Sequence, residues 1–158
     1  MRLKRRAPPP PRLLPLLPLL ALGACGVLPP TCLSAIHVRA DADANIQNAV
    51  ALDIVFVYDK TLLAKLPPTA PAWFSDGPAL LADAPGALAV AHVELVPGGA
   101  TELALPPGYA KAIGVYSYPN YLPAPAQQRR NLTPYRDLTI RLGSQEVSYI
   151  GPNPCSSF

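Results

Sequence analysis

The residues able to do chemistry in this chain are few. They are three cysteines (Cys25, Cys32 and Cys155), two histidines (His37 and His92) and an acidic-polar run, Asp41-x-Asp43-x-Asn45. Imidazole suits general acid-base work near neutral pH, yet both histidines fall on the solvent-facing phase of alternating segments. No Gly-x-Ser-x-Gly elbow, phosphate-binding loop, His-Glu-x-x-His or Cys-His pair accompanies them. Asp41-x-Asp43-x-Asn45 spaces its oxygens like the opening of a calcium loop. However, Ile46 stands where that loop needs glycine and Leu52 where it needs a bidentate glutamate. A solvated polar loop is the expectation there. No catalytic, cofactor-binding or metal-ligating residue is assigned, so the chain reads as a binding or structural part and not as an enzyme.

The cysteines carry more. Cys25 closes a leader with a basic start (Arg2, Lys4, Arg5, Arg6) and a Leu-rich middle from Leu13 to Leu22. A basic segment, an apolar segment and small residues before a cut site describe a secretory signal. Leu22-Gly23-Ala24-Cys25 resembles the lipobox of bacterial lipoproteins, in which the thiol takes a diacylglycerol and becomes the first residue of the mature chain. The resemblance implies a cleaved signal peptide over residues 1–24 and lipidation of Cys25. It also implies the outer membrane, facing the periplasm, because Gly26 replaces the aspartate that retains such lipoproteins in the inner membrane. The other reading, a Pro-rich cytosolic tail, rests on Pro8 to Pro11, Pro15 and Pro18, which interrupt a helical run. No later stretch approaches the ~20 apolar residues of a membrane span.

Processing would reverse the charge. Five of the 13 Lys and Arg residues lie in the leader, whereas all ten acids follow it, so the mature part carries 8 basic and 10 acidic residues. The formal +3 thereby becomes −2, and the electrostatic footprint of a nucleic-acid binder disappears. With Cys25 acylated, Cys32 and Cys155 remain as an even pair. An oxidising compartment predicts a disulfide between them; the alternative is two free thiols too far apart to bond.

The elements that must position these residues follow from periodicity. Ile36 and Val38 alternate with polar neighbours in a strand over Leu33–Arg39, and 41–48 reads as a loop. Val50 to Tyr58 reads as a central strand, apolar on both faces. Asp59 is expected to cap a short helix over Lys60–Leu66 that Pro67 and Pro68 end. Trp73 and Phe74 follow, and Gly77-Pro78 is expected to start a second helix. Residues 59–89 thus read as a helical insertion over one edge or end of a sheet. Further strands are expected around Ala91–Leu95, Leu103–Leu105, Ala112–Tyr118, Leu138–Leu142 and Gln145–Ile150. A polar loop spans 119–134, and Gly143-Ser144 forms a hairpin turn. Many short strands, 22 prolines and one helical insertion predict a mainly β, two-sheet sandwich.

Taken in order, these features resemble the type VI secretion lipoprotein family TssJ (SciN). The resemblance rests on the lipobox at Leu22–Cys25 and on an early strand. It also rests on Asn45-Ile46-Gln47-Asn48 entering the central strand, the Pro97-Gly98 turn after Glu94-Leu95-Val96, and the aromatic strand Val115-Tyr116-Ser117-Tyr118. It implies a transthyretin-like β-sandwich over 33–158, tethered by residues 25–32. It further implies a role in binding the periplasmic region of a TssM-like inner-membrane protein, thereby anchoring a trans-envelope complex. The loop between the first two strands contributes to that contact in the family, so Asp41, Asp43, Asn45, Ile46 and Gln47 become the candidate partner-binding residues. Two other classes remain. One is a pilotin-like assembly lipoprotein. The other is a carbohydrate- or ligand-binding lipoprotein using Trp73 with Tyr116, Tyr118 and Tyr121 as a stacking platform.

Overall fold

Period-two alternation becomes strands in the computed structural model, which describes residues 30–152; the leader, Cys25 and Cys155 lie outside the described residues. One sheet has the order β4-β1-β7-β8, from β1 (Ala35–Ala40), β4 (Ala100–Glu102), β7 (Asp137–Leu142) and β8 (Val147–Ile150). The second has the order β3-β2-β5-β6, from β2 (Val50–Val57), β3 (Leu88–Leu95), β5 (Gly114–Asn120) and β6 (Arg130–Asn131). All pairs are antiparallel except β1 with β7, which run parallel with Ala35 opposite Asp137 and Ala40 opposite Leu142. The mainly β two-sheet sandwich read from the sequence is the observed architecture.

The core follows from the alternation. Ile36, Val38 and Ala40 of β1 and Leu138, Ile140 and Leu142 of β7 point inward from one sheet. Val50, Leu52, Ile54 and Phe56 of β2 meet them from the other. The opposite face of β2 is apolar as well, and Val55 and Val57 pack with Tyr118 of β5, Leu62, Leu66 and Trp73 in a second cluster. That two-faced burial makes β2 a central strand.

The helical insertion therefore covers the outer face of a sheet, not its edge or end. Asp59 caps the short helix Lys60–Leu63 by accepting from the Thr61 N–H at 2.8 Å. The expected second helix at Gly77-Pro78 is instead the middle of one helix, Ala70–Asp83, that already contains Trp73 and Phe74. Pro78 removes one backbone bond without ending the helix, because the buried Trp73 fixes its first turns on the sheet. Gly77 is required there: a Cβ would lie 2.9 Å from the Trp73 ring.

Smaller departures share one cause, since pairing with a neighbour outweighs local composition. The strand expected at Leu103–Leu105 is β4, a few residues earlier, with the Leu103 N–H on the Ile36 carbonyl at 2.9 Å. β5 continues through Pro119 to Asn120, because β2 pairs with it along that length. The loop 119–134 holds a 3-10 turn at Ala124–Gln127 and the strand β6. The β7–β8 hairpin is closed by the Gly143 N–H on the Glu146 carbonyl at 2.9 Å, one residue later than expected.

One polar group sits beneath the helix. Asp53 on β2 is nearly buried; its Oδ2 accepts from Trp73 Nε1 at 2.8 Å, and its Oδ1 lies 2.5 Å from His92 Nδ1. His92 is thus exposed but engaged, and not the free surface histidine that the alternation suggests, whereas His37 lies on the open face of the β1 sheet. Trp73→Phe keeps the ring stacked on Tyr118 (centroids 4.9 Å apart, planes at 17°) but leaves Asp53 Oδ2 without its donor. A loss of about 1–3 kcal/mol is expected from chemical denaturation, with unchanged slope. A loss below roughly 0.5 kcal/mol would mean that the bond contributes nothing net.

Candidate interaction surface at the loop end

Four connections gather at one end of the sandwich, because β1, β3, β5 and β7 all finish where β2, β4 and β8 begin. They are the β1–β2 loop, the Val96–Gly99 turn, the segment after Asn120 and the β7–β8 hairpin. Backbone bonds tie them together. Gly98 N–H donates to Asp41 O at 3.0 Å, Asn45 N–H to Gly143 O at 3.0 Å, and Ile46 N–H to Ser144 O at 3.2 Å.

The β1–β2 loop is not the relaxed polar loop that its composition suggests. Asn45, Ile46 and Gln47 have φ of 48°, 54° and 61°, a left-handed turn without a glycine. Asparagine tolerates this region, but a β-branched isoleucine there is strained by roughly 1–3 kcal/mol. Asn45 supplies the compensation. It is buried, its Oδ1 accepts from Leu122 N–H at 2.7 Å, and its Nδ2 donates to Ala49 O at 3.0 Å. Asn48 Nδ2 donates to the carbonyls of Asn45 and Ile46 at 3.1 and 2.9 Å, bracing the turn from outside. From below, the Tyr121 hydroxyl donates to Gly143 O at 3.1 Å.

The turn has one evident product: it holds the Ile46 side chain out in solvent, 53% exposed. Leu122, beside it through the Asn45 bond, is 64% exposed, and Val96 on the neighbouring turn is 65% exposed. These are three of the four exposed large apolar side chains among the described residues, the other being Ile150. Apolar side chains gathered on a rigid polar-rimmed end mark an interaction surface.

The predicted residues divide by role. Asp41 is bound by Arg141 Nε at 2.9 and 3.0 Å, and this contact holds the Arg141 pKa above its usual value. Asp43, Ile46 and Gln47 are exposed, whereas Asn45 positions the loop from inside. Asp41, Asp43 and Asn45 do not converge as calcium ligands would, since Asp41 is committed to Arg141 and Asn45 to the backbone. Val96 and Leu122 were missed in sequence. Their signal is an apolar residue directly before a turn proline, in Val96-Pro97 and Leu122-Pro123.

The chain enters at the opposite end. Thr31 is already buried, with its N–H on Ala112 O at 2.7 Å, and Ser34 N–H donates to Arg136 O at 2.8 Å. The length of the strands separates this entry from the Ile46 tip by roughly 20–25 Å. The stacking platform does not exist as such: Trp73, Tyr118 and Tyr121 are buried, and Tyr116 lies under the Arg129 guanidinium, 5.0 Å from its ring centroid.

Burial also changes how these tyrosines titrate. Desolvation raises the hydroxyls of Tyr118 and Tyr149 to about 12, and Tyr121 upward as well. The unfolded chain would lose those protons near 10, so stability is complete below that pH and falls as pH rises toward about 12. A spectrophotometric titration should therefore show late-ionising tyrosines whose release coincides with alkaline unfolding. Full ionisation near pH 10 of a still folded domain would contradict it.

No family model and no curated protein sequence matches the chain. Solved structures do. The T6SS lipoprotein TssJ1 from Pseudomonas aeruginosa aligns at 17% identity over 78% of this chain and 98% of that one, with a TM-score of 0.57. Serratia marcescens Lip, a membrane-bound component of the Type VI Secretion System, aligns at 10% identity over 75% and 96%, with a TM-score of 0.53. A chain in a structure of the T6SS protein TssM C-terminal domain (869-1107) from EAEC aligns at 20% identity over 73% and 98%, with a TM-score of 0.53. At these identities the likeness is one of fold, and the fold is that of the TssJ lipoproteins.

Proposed function

We propose that this chain is a TssJ-family outer-membrane lipoprotein of a type VI secretion system. In this reading its loop end holds the periplasmic C-terminal region of a TssM-like inner-membrane protein. The carrying observation is the opposition of the two ends: the chain enters at Thr31, and the strained, apolar-tipped loops lie at the far end. A lipid on Cys25 would leave only residues 26–30 as leash, reaching at most ~20 Å. The sandwich would then stand close to the membrane with Ile46, Leu122 and Val96 turned away from it, toward a partner crossing the periplasm. Asp41 and Arg141 would form the polar rim, with Asp43 and Gln47 beside Ile46.

The structural neighbours support this reading. They include lipoproteins of the type VI secretion system, the TssM C-terminal domain and a type VI membrane complex, which favours a TssM-related partner. The lipoprotein neighbours are components of a secretion system, which favours a docking part over an enzyme. Cleavage of the signal peptide 1–24 would leave the lipidated tether 25–32 and the sandwich domain 33–158.

Affinity purification of the tagged chain from detergent-solubilised envelopes tests the assignment. Recovery of a TssM-like protein is expected. Recovery of a secretin, the pilotin outcome, or of no partner would overturn the assignment. In the same preparation Cys25→Ser should move the chain to the soluble fraction, and retention in the membrane would remove the lipid anchor from the account.

A further inference from the structure

We infer that the open edge of β8 is a second docking site, separate from the loop tip, for an extended peptide segment carrying acidic side chains. β8 is the last strand of its sheet. The Asp41 N–H bonds the Leu142 carbonyl at 2.9 Å, so the backbone groups of Leu142 and, by alternation, Ile140 turn toward β1. Their opposite residues on β8 are Val147 and Tyr149, whose N–H and C=O groups consequently face away from β7, on the side where no strand among the described residues pairs. A row of unpaired backbone groups of this kind templates a further strand.

What lies beside that edge selects the occupant. A groove of about 470 Å³ separates β8 from the segment leading into β6, with Gln128, Arg129, Arg130, Glu146, Val147 and Tyr149 along it. Both guanidinium groups are held in place. Arg129 lies 5.0 Å from the Tyr116 ring centroid with Nη1 on Leu66 O at 2.8 Å, and Arg130 lies 5.9 Å from the Tyr149 centroid. Arginines fixed on aromatic faces lose little freedom when a carboxylate arrives, and they accept it in a bidentate geometry. Glu146, at the hairpin end, is the single acid on the groove.

The other edges fit this occupant less well. β4 and β6 have three and two residues, too short for a ladder. β3 has eight residues, but Glu94 and the Asp53-bound His92 lie along it, giving no cation for an acidic strand. An extended segment pairing with Val147 and Tyr149 would place alternate side chains toward Arg130, so acidic residues two apart are the recognition pattern.

The test uses the mature chain with Cys25→Ser and two capped hexapeptides, Glu-Val-Glu-Val-Glu-Val and Lys-Val-Lys-Val-Lys-Val, followed by amide chemical shifts. The glutamate peptide should bind saturably, moving resonances of residues 128–131 and 146–150, and the lysine peptide should not. Val147→Pro, which removes an edge N–H, and Arg130→Glu, which reverses the charge, should each weaken binding by about tenfold or more. Val147→Thr should leave it intact, separating an edge effect from a folding defect. Ile46→Asp should also leave it intact, so this site and the loop tip fail independently. No saturable shift at millimolar peptide, equal binding of the lysine peptide, or shifts confined to β3 would overturn the inference. So would self-association of the free chain through β8.

Discussion

Cys32→Ser is expected to destabilise the oxidised domain by about 4–5 kcal/mol, close to half of a typical domain's net stability. Cys32 is disulfide-bonded, and its Sγ lies 3.7 Å from Tyr135 O at the chain-entry end. We propose Cys155 as its partner. The described chain leaves β8 after Ile150, which pairs with Thr139, while Ala35 pairs with Asp137, so Cys32 and the last described residues lie toward the same end of β7. From Pro152 three residues can span ~10 Å, about two interstrand spacings. A bridge enclosing nearly the whole domain removes much unfolded-chain entropy, which sets the size of the effect. Denaturation midpoints should fall alike for Cys32→Ser, Cys155→Ser and the double variant, and reduced wild type should match them. A Cys155→Ser chain as stable as oxidised wild type would exclude this pairing.

Asn45→Ala should lower stability by about 2–4 kcal/mol and weaken partner binding disproportionately. Three effects act together: the Leu122 N–H loses its acceptor, the Ala49 carbonyl loses its donor, and a residue at φ 48° loses the side chain that tolerates that region. Each contributes roughly 1 kcal/mol. The released loop should fall back to ordinary φ values and no longer hold Ile46 in place. Asn45→Gly separates the two parts, because it restores the backbone freedom without the side-chain bonds. Its binding should remain weak, and recovery to the wild-type level would mean that positive φ alone forms the site.

Much of this was legible in sequence, for physical reasons visible at particular residues. The period of two in β1, β2 and β7 had a single buried solution, and the apolar residues on both faces of β2 required a layer on each. Asp59 set the start of the first helix, which ends at Leu63, short of the expected Leu66 and of the prolines at 67 and 68. Other features depended on contacts between distant residues. Pro78 suggested a helix start, and the packing of Trp73 on Tyr118 and Asp53 overrode it. Composition marked 41–48 as a loop, and the candidate contact residues came from family likeness. The left-handed turn, however, exists because Asn45 reaches Leu122, 77 positions away. Val96 and Leu122 gained meaning only once three turns met at one end.

The central claim is that this end, and not another face, carries the partner. Its most direct test is a calorimetric titration of the mature domain with the purified periplasmic C-terminal domain of the TssM-like protein from the same source. Ile46→Asp and Leu122→Asp should be compared with Ile150→Asp, a comparably exposed apolar position on the β8 strand, opposite Thr139 and away from the loop tips. Burying a carboxylate without a partner should weaken binding by about 100-fold for the first two variants, and Ile150→Asp should bind like wild type. Unchanged affinity with Ile46→Asp and Leu122→Asp, or a loss confined to Ile150→Asp, would contradict the account.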